Sequence, residues 1–406
     1  MKKLILTVVL ITAVLSVCAC GHAIEEDDSL NASKATGAVQ PEGEKTSVPP
    51  LPQIEDLSFT ASGSEIALTW GDELDDRVAY YEVMRAGPLN HSEKEQEIEW
   101  TEVGKIDPDG IFGSSRNHFT EAFPDDEEKF QYFYRVDAVS SDEKKWGKSA
   151  GIPIPVTNYI VCIDPGHFGH RLNVSGEDSY SEAEYTLATG LELRRILKED
   201  YGIEARMTRE TDSVSINGLT DSNLDHGHIS LRGEYAAGCD FFISIHTNAN
   251  LDNANNSPTL MQPKSITKPV IILNRAAESS LTAIRQANLI GINLSRANYE
   301  AGVSTTATFK EAGPGSVTDW TDALNDAPDT EGTLFRRLNS DGSDCYGVLL
   351  GSNRAGVPGI IVEHAHHTVP EVRKALKYQY LYKKWAEADA AGIGGGLGFI
   401  NVKEKD

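Results

Sequence analysis

Three short apolar runs along the chain each end on a side chain with acid–base or metal-binding chemistry. Ile160-Val161-Cys162-Ile163 runs into Asp164-Pro165-Gly166-His167, Phe241-Phe242-Ile243-Ser244-Ile245 ends on His246, and Gly359-Ile360-Ile361-Val362 ends on Glu363. Runs this short and this apolar, bounded by turn residues, predict strands buried on both faces. Between the runs the period lengthens. Ser181–Tyr201 carries Tyr185, Leu187, Ala188, Leu191, Leu193, Ile196 and Leu197 near one helical face, and Gly202 stands where a helix would stop. Ile203–Arg209 predicts the next strand, Ile229–Ala237 a helix, and Ser279–Tyr299 a further helix. Alternation of this kind predicts an α/β domain over 157–390, a mostly parallel mixed sheet covered by helices. Ligands bind at the carboxyl ends of strands in such sheets, so His167, His246 and Glu363 are expected to converge on one crevice.

Residues 51–155 have a different rhythm. Ile66–Trp70, Tyr80–Met84, Thr101–Ile106 and Phe130–Val139 alternate with a period of two between Gly, Pro, Asp and Ser turns, which predicts an N-terminal β-sandwich. The phrases Leu68-Thr69-Trp70, Tyr81-Glu82-Val83 and Tyr134-Arg135-Val136-Asp137-Ala138-Val139 resemble a fibronectin type III module, which implies a spacer or a weak adhesion role. Trp70 is expected in its core rather than as a stacking platform. Residues 21–50, with Glu25-Glu26-Asp27-Asp28 and little to bury, read as a disordered linker. Met1-Lys2-Lys3 followed by the apolar stretch Leu4–Val17 has the form of a secretory signal, and Val17-Cys18-Ala19-Cys20 resembles a lipobox. Residues 1–20 are therefore expected to direct export, with a lipid anchor on Cys20 holding the chain to the outer face of the cytoplasmic membrane. Gly392–Gly398 reads as part of a flexible tail, 391–406.

A chain of 406 residues exceeds one ordinary core, in keeping with several domains. Its formal net charge of −24 speaks against nucleic acid, whose phosphates need clustered Lys and Arg. Of five cysteines two lie in the leader; Cys162, Cys239 and Cys345 form no close-spaced pair, so no disulfide framework is indicated despite export.

Ile163-Asp164-Pro165-Gly166-His167, then Glu182 with Leu187 after it, then Ser244-Ile245-His246-Thr247-Asn248-Ala249, then Val362-Glu363 resemble, in order, the zinc-dependent N-acetylmuramoyl-L-alanine amidases (amidase type 3) that cut bacterial peptidoglycan. The resemblance implies a Zn2+ held by His167, Glu182 and His246, with Glu363 as the catalytic proton shuttle. Three His or carboxylate ligands with one position left for water is the pattern of a catalytic zinc site. Glu184 is an alternative to Glu182, but the two project roughly 200° apart on a helix, so only one can face a metal. The family spacing favours Glu182. Thr186 departs from the Asn usual there. Arg232 matches the family arginine before the second histidine strand and is expected in a salt bridge. His364, His366 and His367 read as loop histidines, one of which is a candidate to orient substrate; His226 and His228 have no assigned role. Residues 250–350 are expected to form a groove wall or lid. The implied reaction is hydrolysis of the amide joining N-acetylmuramic acid to L-alanine, with peptidoglycan as partner. A zinc peptidase acting on stem peptides and a noncatalytic wall-binding protein are the alternatives.

Overall fold

The structure, a computed structural model, describes residues 49–403 apart from 63, 72–74, 90–98, 108–116, 124–127, 143, 170–172, 175–178, 250–263 and 322–331. The leader, Cys20 and nearly all of the expected linker lie outside the described residues. Among the described residues no helix is long and apolar enough to cross a membrane.

Among the described residues the first part holds eight strands: β1 (Ser58–Ala61), β2 (Glu65–Thr69), β3 (Val78–Leu89), β4 (Trp100–Ile106), β5 (His118–Ala122), β6 (Gln131–Ser140), β7 (Lys148–Ser149) and β8 (Ile154–Thr157). They form two antiparallel sheets, one ordered β1-β2-β5 and the other β4-β3-β6-β7 with β8 on β6. The alternation seen in sequence decides the facing: Ile66 and Leu68 of β2 are buried while Glu65 and Thr69 are exposed. Phe59, Ile66 and Leu68 from one sheet meet Tyr81, Val83, Tyr134 and Val136 from the other in a single apolar cluster. Trp70 is buried there, edge-on to Tyr81 at 5.7 Å.

The second part is built on a seven-stranded sheet. Its strands are β9 (Ile160–Pro165), β12 (Glu204–Met207), β15 (Phe241–Asn248), β16 (Val270–Leu273), β17 (Thr318–Asp319), β18 (Leu334–Arg336) and β19 (Gly359–His366). Two short hairpins, β10–β11 (Asn173–Val174 with Tyr180–Ser181) and β13–β14 (Ser215–Ile216 with Leu219–Thr220), stand apart from it. The order is β12-β9-β15-β19-β16-β18-β17, and every neighbouring pair is parallel except β19 with β16. Among the described residues the α-helices are α1 (Glu182–Tyr201), α2 (Ser230–Glu234), α3 (Arg275–Glu278), α4 (Leu281–Glu300), α5 (Gly347–Arg354), α6 (Pro370–Gln379) and α7 (Leu381–Leu397). The apolar strands are two-sided, as their unbroken hydrophobicity requires. Val161, Ile163, Ile243 and Val362 pack against Leu193, Ile290 and Trp385 of α1, α4 and α7. Ile160, Cys162, Phe242 and Ile361 face Val348 and Leu349 of α5. Helix α1 starts after Ser181 and stops at Gly202, whose φ of 72° is the left-handed cap that glycine supplies at little cost.

Two expectations need correction. The glycine-rich stretch near the C-terminus is not a tail but the last turns of α7, with Gly392, Gly394 and Gly396 buried. A Cβ at Gly392 would fall 2.4 Å from the Ile290 side chain and one at Gly394 2.3 Å from the Tyr201 ring, so the glycines let α7 close on α4 and α1. Their low helix propensity is offset by that packing. Much of 250–350 is likewise core rather than lid: β16, β18 and α4 belong to the sheet and its cover. Cys162 and Cys239, remote in sequence, share one apolar cluster as free thiols.

Candidate metal centre

The site forms where β9, β15 and β19 lie side by side. In β15 and β19 the parallel register sets His246 opposite Glu363, and in β9 and β15 it sets Asp164 opposite Ser244. After Pro165 the chain turns sharply: the Gly166 amide donates to the Ile245 carbonyl at 2.9 Å, and His167 takes a φ of 57°. That left-handed conformation costs a non-glycine residue about 1 kcal/mol and aims the imidazole across the crevice. A Cβ at Gly166 would lie 2.4 Å from His246 Cε1, so this position has to be glycine for the second imidazole to sit where it does.

Glu182, the first residue of α1, lies between the two histidines. Its Oε1 is 3.6 Å from His167 Nε2 and 3.3 Å from His246 Nδ1, and it accepts the Thr247 amide at 2.9 Å. One ligand atom from each of His167, Glu182 and His246 lies within 4.8 Å of the others. The rings of His167 and His246 stand edge to face, 5.0 Å apart. Burial opposes ionisation of Glu182, but the charge of His167 and the hydrogen bonds to both imidazoles outweigh it and hold the carboxyl well below the usual carboxylate range. Burial pushes His246 down, favouring the neutral ring that a metal requires. Two imidazoles and an ionised carboxylate meeting at one point can hold a divalent cation. Glu184 is exposed and points away.

Glu363 faces the same crevice. Burial and then the Glu182 carboxylate push its pKa up to about 8, with His167 acting in the opposite direction. Its Oε2 is shut off from solvent and has no hydrogen-bond partner among the described residues. A buried carboxyl oxygen without a donor is costly unless it serves a bound group, so this orphan fits a cation and its attacking water.

Beneath the turn lies a buried polar layer. Asp164 accepts from Arg232 Nε and an Arg232 terminal nitrogen at 2.9 and 2.8 Å, from Thr208 Oγ1 at 2.5 Å and from Ser244 Oγ at 2.7 Å. Arg232 is thus the salt-bridge partner expected of it. Arg209, which carried no signal in the sequence, donates to the carbonyls of Pro165, Gly166 and Ala183 at 3.0, 3.0 and 2.6 Å. Thr186 Oγ1 donates to Gly166 O at 2.7 Å, so the residue that departs from Asn still secures the turn that carries His167.

The histidines after Glu363 are not on an exposed loop. β19 continues to His366, and His364, His366 and His367 are all buried. His364 Nδ1 donates to the His246 carbonyl at 3.1 Å, and its Nε2 lies 2.8 Å from Asp389 Oδ2 on α7. A carbonyl only accepts, so Nδ1 carries a hydrogen and one further proton closes the contact to Asp389. Asn298 Nδ2 donates to the His364 carbonyl at 2.8 Å and is itself held by Trp385 Nε1 at 2.9 Å. His367 Nδ1 is 3.1 Å from Thr247 Oγ1, and its ring stacks on Tyr180 at 5.0 Å. Asp389, Asn298 and Trp385 were invisible as site supports because the contacts that define them join α4 and α7 to β19. His228 is exposed, and the His226 side chain lies outside the described residues.

A family model described as N-acetylmuramoyl-L-alanine amidase matches residues 161–394. No curated protein matches the chain. Among solved structures, Cwp6 from Clostridium difficile is similar at 22% identity over 58% of this chain and 29% of that one, with a TM-score of 0.38. The chain therefore spans under a third of Cwp6. The catalytic domain of CwlV, an N-acetylmuramoyl-L-alanine amidase from Bacillus (Paenibacillus) polymyxa, is 16% identical over 58% of this chain and 97% of that one, with a TM-score of 0.37. The CwlD amidase from Clostridioides difficile, solved in complex with the GerS lipoprotein, is 18% identical over 59% and 98%, with a TM-score of 0.38. With more than half of its length matched by the family model, and with the motif residues gathered at one crevice, this chain belongs to the N-acetylmuramoyl-L-alanine amidase family.

Proposed function

We propose that the protein is an exported peptidoglycan hydrolase that cleaves the amide between the lactyl group of N-acetylmuramic acid and L-alanine. The observation that carries this reading is the meeting of His167, Glu182 and His246, with the orphaned Glu363 carboxyl facing them. A zinc ion held by those three residues supplies a Lewis acid for the amide carbonyl and lowers the pKa of water. The residues of the chain do the rest. Glu363 takes a proton from the attacking water as its oxygen bonds to the lactyl carbonyl carbon, then returns it to the L-alanine nitrogen as the C–N bond breaks. Glu182, fixed by the Thr247 amide, keeps the two imidazoles in place. The Asp164, Arg209 and Arg232 layer holds the turn behind His167 rigid.

The leader pattern supports export with a lipid anchor on Cys20, at the outer face of the cytoplasmic membrane. The two sheets around one apolar cluster support a fibronectin type III-like sandwich that spaces the catalytic domain from the anchor. Mass spectrometry of digested peptidoglycan, with and without chelator, tests the activity. Free glycan strands with intact stem peptides, lost on chelation and restored by zinc, are the expected products. Shortened stem peptides would mark a zinc peptidase instead, and undigested material with full metal loading would leave a wall-binding protein.

A further inference from the structure

A row of tyrosines leads from the crevice to the surface. It begins at Tyr180, whose hydroxyl hydrogen-bonds Thr247 next to His246 and whose ring stacks on His367. Tyr185 stacks parallel to it at 5.5 Å, Tyr382 follows at 6.5 Å and Tyr380 at 6.3 Å. Tyr378 flanks the row, and Tyr378 and Tyr380 are 62% and 59% exposed, large apolar rings left in water beside an active crevice. Tyr380 holds a φ of 53° at the junction of α6 and α7, a position where glycine or asparagine would cost less. Lysines frame the exposed end, with Lys377 Nζ 5.2 Å from the Tyr378 ring and Lys383 Nζ 5.7 Å from that of Tyr380. Glu184 lies near Tyr185, and Glu182 and Glu363 lie near the inner end of the row at Tyr180.

We infer that Tyr185, Tyr382, Tyr380 and Tyr378 form a carbohydrate-binding platform along which the glycan strand of the substrate lies as its muramyl residue enters the crevice. The inference rests on the amidase reading and adds a subsite to it. Three features fit a polysaccharide. Pyranose rings present apolar C–H faces that stack on aromatic rings, and tyrosine adds a hydroxyl for the sugar rim. The ring centroids follow one another at 5.5 to 6.5 Å, so the row carries an aromatic surface outward from the crevice to the exposed rings of Tyr380 and Tyr378. The row is continuous with the residues around His246 and Glu182, so a strand on it stays connected to the reacting amide.

The test uses the full chain carrying Glu363→Gln, which holds substrate without turning it over, and peptide-free glycan strands as the probe. Tyr378→Ala with Tyr380→Ala is expected to weaken glycan binding about five- to tenfold, while the matching Phe pair keeps it, because stacking survives loss of the hydroxyl. In the active enzyme the Ala pair is expected to raise KM for polymeric peptidoglycan by a similar factor, leaving kcat and the cleavage of a short muramyl peptide unchanged. Unaltered glycan binding by the Ala pair in a protein that still cleaves peptidoglycan overturns the platform and leaves the amidase reading standing. Tyrosine-dependent glycan binding by a protein that cleaves no muramyl amide keeps the platform and overturns the activity.

Discussion

Gly166 bears a constraint that no other side chain can meet, since a methyl there would sit 2.4 Å from the His246 ring. Gly166→Ala is therefore expected to displace His246 and lower zinc content well below one per chain, measured by elemental analysis, while the helices keep their circular dichroism. Glu363 belongs to a different class, because it faces the crevice without being one of the three clustered ligands. Glu363→Gln is expected to retain full zinc and lose about 10²- to 10⁴-fold in rate, the usual worth of a positioned proton carrier. His167→Ala should lose zinc and activity together. An active Glu363→Gln enzyme would falsify the proton-shuttle role. At this scale the sequence was most readable: a histidine or glutamate ending an apolar run is costly without a purpose, and the runs are local. Arg209 was not readable, because its value lies in three carbonyls, of which Pro165 and Gly166 belong to a turn remote in sequence.

The elements were legible where one period dominates. α1 and α4 fall within a residue or two of their expected bounds, and the apolar runs became β9, β15 and β19. What misled was composition without context: Gly392–Gly398 looked unstructured because propensity says nothing about the helices α7 must approach, and the histidines after Glu363 looked like a loop because their partners are remote in sequence, those of His364 on α4 and α7 and those of His367 on β15 and β11. The same dependence between elements makes Asp164 a stability determinant. Burial opposes its ionisation, but the Arg232 charge and the Thr208, Ser244 and Arg232 hydrogen bonds lower its pKa below the ordinary 3.8. A carboxyl with a depressed folded pKa contributes stability that is complete above its unfolded value and disappears as pH falls through the folded one. Asp164→Asn leaves the Arg232 guanidinium buried against a neutral amide and is expected to cost about 3 to 5 kcal/mol at pH 7, read from urea unfolding. The variant should also lose less stability than the parent on going from pH 5 to pH 2. An equal acid-side slope in both proteins would remove Asp164 from the list of groups that drive acid unfolding.

At the scale of the molecule, the two parts of the described chain are joined by polar contacts that range from buried to half-buried. Gln131, at the start of β6, donates to the carbonyls of Tyr201 and Ile400, each at 2.9 Å, and accepts the Ile400 amide at 2.8 Å. Lys129 pairs with Asp240 at 2.8 Å, and Asp240 in turn accepts the Ile160 amide that opens β9. One glutamine thus serves the end of α1 and the segment after α7, two helices that cover the sheet carrying His246 and Glu363. Gln131→Ala would strand three backbone groups in a buried seam, and with about 1 kcal/mol or more for each group left without a partner, roughly 2 to 4 kcal/mol of coupling should go. The catalytic residues are untouched by the change, so activity at moderate temperature should persist. Calorimetry is the discriminating measurement: the parent is expected to melt as one cooperative unit, and the variant in two steps, with the N-terminal sheets leaving first. A single, unshifted transition in Gln131→Ala would mean that this side chain carries none of the coupling and that the other contacts across the seam, Lys129–Asp240 among them, hold the two parts together.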